Sequence, residues 1–289
     1  MVVLLLTVMS SLCGCGNLGN SNTSETDSVS SKLLANSTNA FFSMPSPLET
    51  ALLLKDLGVK VDLKDLHPLS KAKDYVESKE KALNLGIYAV DFCFASIHDQ
   101  TQLTLNYADV VNNMLQQLGV VTDLNKQQID SLQSNISNKV YVKGFISEHI
   151  LKHIADLSDD RKVLGCYTAL GGFVEGLYLL LCNASKQPVL NDKFKQAIVD
   201  QKLVMDNISA FVAQLDKSEM AFVAEDLGQL KSKFDNIKKT DQSAVQVYDS
   251  VEKVSVIKSK DKVEAVEISK PVLDDLLKTV KVIRTSFTK

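Results

Sequence analysis

Tryptophan is missing from this 289-residue chain, and aromatic residues make up only 6% of it. A platform that stacks sugar rings on indoles is therefore not encoded, although tyrosines remain available. The formal net charge is -3, and no basic stripe with interleaved aromatics occurs. That removes the electrostatic footprint of a nucleic-acid binder, so nucleic acid is not an expected partner. Also missing are a glycine-rich phosphate loop, a Gly-x-Ser-x-Gly elbow and a Cys-x-x-Cys pair. Gly171-Gly172 falls inside a helical stretch and does not follow a strand, so it is no nucleotide fingerprint. The Leu85-Gly86 and Leu164-Gly165 pairs lie too far apart to establish a helical repeat. None of these patterns asks for a cofactor.

Cysteine is informative by subtraction. Of the five in the chain, Cys93, Cys166 and Cys182 lie within the two most apolar stretches, where a thiol reads as a small hydrophobe. The remaining composition, 45% hydrophobic and 23% charged, is that of an ordinary globular protein, enough for one large domain or two small ones.

The stretch that organises the rest runs from Val163 to Cys182 and is apolar on nearly every side, with one carboxylate, Glu175, near its middle. On a helical wheel Gly165, Ala169, Gly172 and Gly176 share one narrow arc, opposite bulkier Leu170, Val174, Leu177 and Leu181. A flat face of small residues invites a neighbouring backbone, which offsets the roughly 1 kcal/mol that each glycine costs within a helix. The stretch is long enough to span a bilayer. Glu175 argues against that, because it would cost about 2.5 to 3.5 kcal/mol at the bilayer centre. The expectation is a buried core helix.

A second apolar helix is expected over residues 79–97. Asn84, Asp91 and His98 recur every seventh residue along it, among Leu83, Leu85, Ile87, Phe92, Cys93 and Phe94. An unpartnered carboxylate is expensive in such a place, so this polar seam must find partners. One reading is structural: Asp91 binds a tyrosine, a histidine or a backbone amide and fixes the register of the bundle. The other makes Asp91, His98 and Glu175, with Asn84 beside them, a pocket that binds a small ligand or does acid-base work.

The other helices follow from caps and periodicity. Ser46-Pro47-Leu48-Glu49 is a capping box with proline at the first helical position, and Gly58 suits the end of that helix. Amphipathic helices are expected over 101–118, closed by Gly119, over 125–136 on the surface, and over 140–157. The last of these carries His149 and His153, four residues apart and able to share a cation, with Asp156 as the nearest third ligand. The zincin glutamate after the first histidine is missing, so a packed histidine beside a surface one is the plainer reading. Further helices are expected from Pro188 to Leu215, from Glu219 to Ile237 and, capped by Ser269, from Pro271 to Ser286. Residues 238–269 are less regular; β-branched alternation over 254–268 with Ser259-Lys260-Asp261-Lys262 as a turn fits a small hairpin, with charged helix fragments as the competing reading.

The N-terminal region reads differently. Val2 to Met9 is a short apolar run, and the tetrapeptide Leu12-Cys13-Gly14-Cys15 resembles a bacterial lipobox, with Cys15 as the acylated residue and Cys13 leaving with the signal. The positive segment that ordinarily precedes such a run is missing, which leaves two readings open, a start upstream or a wrongly assigned start. Glycine after Cys15 resembles the sorting pattern of outer-membrane lipoproteins. Residues 16–40, rich in Ser, Asn, Thr and Gly, cannot bury enough surface to fold and read as a tether.

Met44-Pro45-Ser46-Pro47-Leu48-Glu49-Thr50, Ala82-Leu83-Asn84-Leu85-Gly86-Ile87-Tyr88-Ala89-Val90-Asp91 and Gly171-Gly172-Phe173-Val174-Glu175 together resemble a group of uncharacterised lipoproteins of Bacteroidota-type bacteria. The resemblance covers most of residues 44 to 289, and it implies architecture and location without chemistry. The expected organisation is a signal peptide and lipobox over 1–15, a tether over 16–40, and one all-α multi-helix bundle over 41–289. The expected function is a non-enzymatic interaction module of the cell envelope, anchored to the membrane by lipid and facing the periplasm or the surface. Its partner would be another envelope protein or a small molecule. The alternative is a metal-binding or ligand-binding protein or enzyme built on Asp91, His98 and Glu175.

Overall fold

The first helix, α1 (Pro47–Asp56), is set by the predicted capping box. The Ser46 hydroxyl accepts from the Glu49 amide at 3.3 Å, and the Glu49 carboxylate accepts from the Ser46 amide at 2.5 Å. The chain leaves through Gly58, whose φ of +74° lies in the left-handed region that glycine tolerates. The computed structural model describes residues 45–60, 62–120, 122, 124–154, 161–237, 244–249, 254–259 and 267–289. The lipobox at Cys15, the tether over 16–40 and Asp156 therefore lie outside the described residues.

Among the described residues, eight more helices come after α1. They are α2 (Ser78–Ile97), α3 (Thr101–Gln117), α4 (Lys126–Ser134), α5 (Lys139–Ile146), α6 (Lys162–Ser185), α7 (Asp192–Val212), α8 (Lys217–Phe234) and α9 (Lys270–Phe287). A single 3-10 turn, Leu69–Lys73, precedes α2. The all-α class expected from the sequence is what the described residues show.

Three local details differ from the expectation. The helix expected from Pro188 starts instead at Asp192, because the Asn191 side chain accepts from the Phe194 amide at 3.0 Å and supplies the better cap. The helix expected to run unbroken over 140–157 contains a π turn, Ser147–Leu151. Such a turn inserts one residue and rotates the downstream residues by about 100° from their α-helical register. Near the C-terminal end, Val254–Ser259 pairs antiparallel with Ala244–Asp249, with Val256 opposite Val247. The partner expected for it, 263–268, lies mostly outside the described residues.

The bundle is built on the contact between α2 and α6. α1 and α3 cover α2, α7 and α9 cover α6, and α8 bridges α7 to α9. Every residue of α2 from Ala82 to Ala95 is buried. Helix α6 is the one described helix long and apolar enough to cross a membrane, yet 78% of its apolar window is already covered inside the protein.

Glycine permits this contact, at one member of the arc that the helical wheel singled out, Gly172, whose nitrogen would lie 2.6 Å from a Cβ on Gly86, and at one residue off it. A Cβ on Gly86 would be driven into the carbonyl oxygen of Thr168, and a Cβ on Gly171 into the carbonyl oxygen of Leu83. Gly171 lies off the expected arc. Of the arc members, Gly172 makes only ordinary contact, its Cβ position 3.5 Å from the Gly86 oxygen, and Gly176 gives room to Thr50 of α1.

Backbone cannot yield as a flexible side chain can. Gly86→Ala or Gly171→Ala is expected to destabilise the fold by about 3 kcal/mol or more. Gly144→Ala and Gly228→Ala, helical positions where a Cβ meets nothing within 4 Å, are expected to stabilise it by about 0.5–1 kcal/mol. Urea denaturation of the four variants checks the contrast.

Candidate functional site

A short distance beyond the glycine contact, α2 and α6 each present a carboxyl group to the interior. Asp91 and Glu175 are fully buried, and they are neighbours whose charges bear on one another, that of Glu175 raising the Asp91 carboxyl. Two members of the candidate pocket expected from the sequence thus lie side by side.

Arg284 of α9 completes the group. Its Nε donates to Glu175 Oε2 at 2.5 Å and its Nη2 to Oε1 at 2.9 Å, a bidentate pair. The same Nη2 lies 3.3 Å from the Asp65 carbonyl oxygen. The guanidinium stands over the Tyr178 ring, 4.3 Å from its centroid. Burial works against the arginine's charge, but the attraction of Glu175 outweighs it and holds the guanidinium firmly protonated.

Above the acids, the loop over residues 65–68 is fastened by side chains from several elements. The His67 amide donates to Asp91 Oδ2 at 2.8 Å. Tyr107 of α3 donates its hydroxyl to the His67 carbonyl at 2.8 Å, and Tyr88 of α2 donates to the Pro68 carbonyl at 2.8 Å. His67 Nε2 lies 2.6 Å from the Tyr75 hydroxyl, and its ring packs on Tyr88 with centroids 5.0 Å apart. Burial, reinforced by the nearby charge of Arg284, depresses the imidazole to about 3, so the ring is neutral. Burial also pushes the hydroxyls of Tyr75, Tyr88 and Tyr107 up, which keeps them as donors.

The other members of the sevenfold seam go elsewhere. Asn84 Nδ2 donates to the Glu80 carbonyl at 2.9 Å and to the Phe287 carbonyl at 2.8 Å, so this side chain caps the end of α9. His98 sits at the end of α2 with Nδ1 2.9 Å from the Phe94 carbonyl and Nε2 2.9 Å from the Val59 carbonyl. It ties the segment after α1 to α2. Seven residues of helix separate it from Asp91 by about 10 Å along the axis, and its ring nitrogens are turned to those carbonyls.

His149 packs its ring on Phe145, with centroids 4.7 Å apart, beside the π turn, and His153 is buried. Among the described residues, no group of three or more His, Cys, Asp or Glu side chains is placed to hold a metal ion. Two cavities among the described residues lie elsewhere: a shallow groove of about 480 Å³ along the outer face of α9 and a water-sized gap of about 20 Å³ against Val199 and Phe234. Neither is lined by Asp91, Glu175 or His98.

Arg284, His67, Tyr75 and Tyr107 were not singled out by sequence. A signal for the first existed in composition. Of 32 basic residues only two are arginine, Arg161 and Arg284, and both bind backbone carbonyls: Arg161 donates to Leu118 O at the end of α3. Lysine serves where a cation is solvated, and arginine where its planar fork is required.

Glu175→Gln is expected to cost about 3–5 kcal/mol by leaving the guanidinium uncompensated in a mostly buried site; thermal or urea denaturation reads it. A second expectation concerns acid. Between pH 6.5 and about 3 the unfolded chain protonates its histidine and the folded chain does not protonate His67. Stability contributed by that difference is therefore complete above the window and is lost as pH falls through it, by at most about 1.4 kcal/mol per unit. His67→Gln should show a smaller drop in unfolding free energy from pH 7 to pH 5 than the parent. No protein-family profile, curated protein or solved structure matches this chain, so its function has to be argued from these residues alone.

Proposed function

We propose that this chain is a lipid-anchored protein of the cell envelope whose helical domain is a non-enzymatic interaction module. In this reading Cys15 carries the lipid and residues 16–40 set the domain at a distance from an outer membrane. The domain, organised on the apolar segments 79–97 and 163–182 with a small hairpin near 254–268, binds another envelope protein or a small molecule through its surface. The likeness to Bacteroidota-type lipoproteins belongs to the same proposal.

One observation carries the non-enzymatic part: each of the four polar side chains singled out in the core is tied to a partner within the protein. Glu175 is held by Arg284, Asp91 by the His67 amide, Asn84 by the end of α9, and His98 by two carbonyls. A catalytic acid or base has to reach its substrate, and Asn84, Asp91 and Glu175 have no exposed surface.

Two measurements test the parts separately. Cells expressing the full chain and fed a clickable palmitate analogue should label the protein, and Cys15→Ser should abolish the label and move the protein out of the membrane fraction. Native mass spectrometry with elemental analysis on the chain from Ser37 onward should show no metal; a stoichiometric metal, or a small molecule whose binding is lost on substitution of Asp91, His98 or Glu175, would overturn the non-enzymatic reading. Glu175→Leu, if still folded, should leave binding to the partner intact.

A further inference from the structure

The buried acids do not balance as drawn from their heavy atoms. Two carboxylates and one guanidinium, all within a dry interior, would carry a net negative charge. Asp91 Oδ2 accepts the His67 amide, but Oδ1 has no hydrogen-bond donor facing it. Its side chain nonetheless lies beside that of Glu175, whose charge acts on it. Two carboxylates side by side repel one another, and each would face the other with lone pairs alone.

We propose that the folded protein holds one proton on Asp91 Oδ1, donated in a hydrogen bond to the Glu175 carboxylate, and that this proton latches the 65–68 loop to the α2–α6–α9 junction. The position of the proton follows from counting donors. Both oxygens of Glu175 already accept N–H groups from Arg284, so a proton there would compete with an ion-pair hydrogen bond. Asp91 Oδ2 is engaged by the backbone. Oδ1 is the remaining oxygen, and an O–H there supplies the missing donor to Glu175, which still has lone pairs free.

The result is a neutral chain of contacts: His67 amide to Asp91 carboxyl, Asp91 to Glu175 carboxylate, Glu175 to Arg284, and Arg284 to the Asp65 carbonyl. It closes on the same loop from which it began. The groups that face Asp91 support the assignment from every side. Glu175 repels its charged form from α6. Arg284 from α9 is the one cation among them, and it is already paired. Tyr88 and Tyr107 are neutral donors turned to the loop carbonyls, and His67 is neutral. Burial and the neighbouring Glu175 charge both raise the Asp91 carboxyl well above the usual carboxylate range.

Removal of the proton by base gives water and a second buried carboxylate, so the latch opens as pH rises. The folded state binds a proton that the unfolded state has released above about pH 3.8. Stability from this group is therefore present at low pH and lost as pH climbs toward the folded-state pKa. Opening should expose the His67 amide, whose acceptor in the closed state is Asp91.

The test uses the full chain labelled with carbon-13 at the aspartate carboxyl. At pH 7 one aspartate should show the chemical shift of the protonated acid, and Asp91→Asn, whose amide can donate to Glu175 and accept from His67, should remove that resonance alone. The ratio of folding constants, parent over Asp91→Asn, should fall about tenfold per pH unit within the window, as one linked proton requires. Hydrogen exchange at the His67 amide should accelerate with pH, beyond the ordinary base catalysis seen at Leu66, in the parent and not in the variant. If every aspartate resonance of the folded parent is ionised at pH 7, the proposal is overturned, and that result stands even if Asp91→Asn fails to fold. An Asp91→Asn protein whose stability has the same pH slope as the parent would overturn it equally.

Discussion

Two helix backbones touch where Gly86 and Gly171 face the carbonyls of Thr168 and Leu83. That approach decides where everything nearby must go. Side chains close to such a contact have no route to water, so the carboxyl groups of Asp91 and Glu175, one turn or so beyond it, are enclosed together. Enclosed acids need donors and a countercharge. The loop over 65–68 and the last helix are recruited to supply them.

The recruitment is long-range. Arg284 reaches back 109 residues to Glu175 and 219 to Asp65, and Asn84 caps a helix end 203 residues away. Contacts so distant in sequence close large loops. They join the C-terminal helix to the first third of the chain. A chain that otherwise uses lysine for its cations keeps arginine for the two places where a planar donor must meet fixed oxygens. Surface pairs such as Lys126 with Asp130 are well exposed and contribute little by comparison.

The same enclosure separates chemistry from architecture. A raised acid in a cleft is a candidate for catalysis, whereas a raised acid sealed beneath a loop and three tyrosines is a constraint on how the helices assemble. His67 and Asp91 give that constraint opposite pH responses. The neutral imidazole is favoured as pH rises above its window, and the protonated Asp91 is favoured as pH falls. The junction is thereby strongest in the middle range.

The sequence by itself determined the local elements. The capping box at Ser46, the left-handed glycines 58 and 119, and the unbroken apolarity of α2 and α6 are written within a few residues of where they act. It also determined that Asn84, Asp91 and Glu175 must be partnered, because a polar group within such helices has no solvent to return to. Tertiary structure alone decided the partners. A helical wheel ranks glycines by their own helix and cannot know the crossing angle, so it favoured Gly165, Gly172 and Gly176 over Gly171. Spacing put His98 in line with Asp91, yet the end of the helix turned its ring to Val59 and Phe94. Arg284 met Glu175 only because α9 packs on α6, a contact fixed by the apolar faces of two helices a hundred residues apart and by nothing local to either.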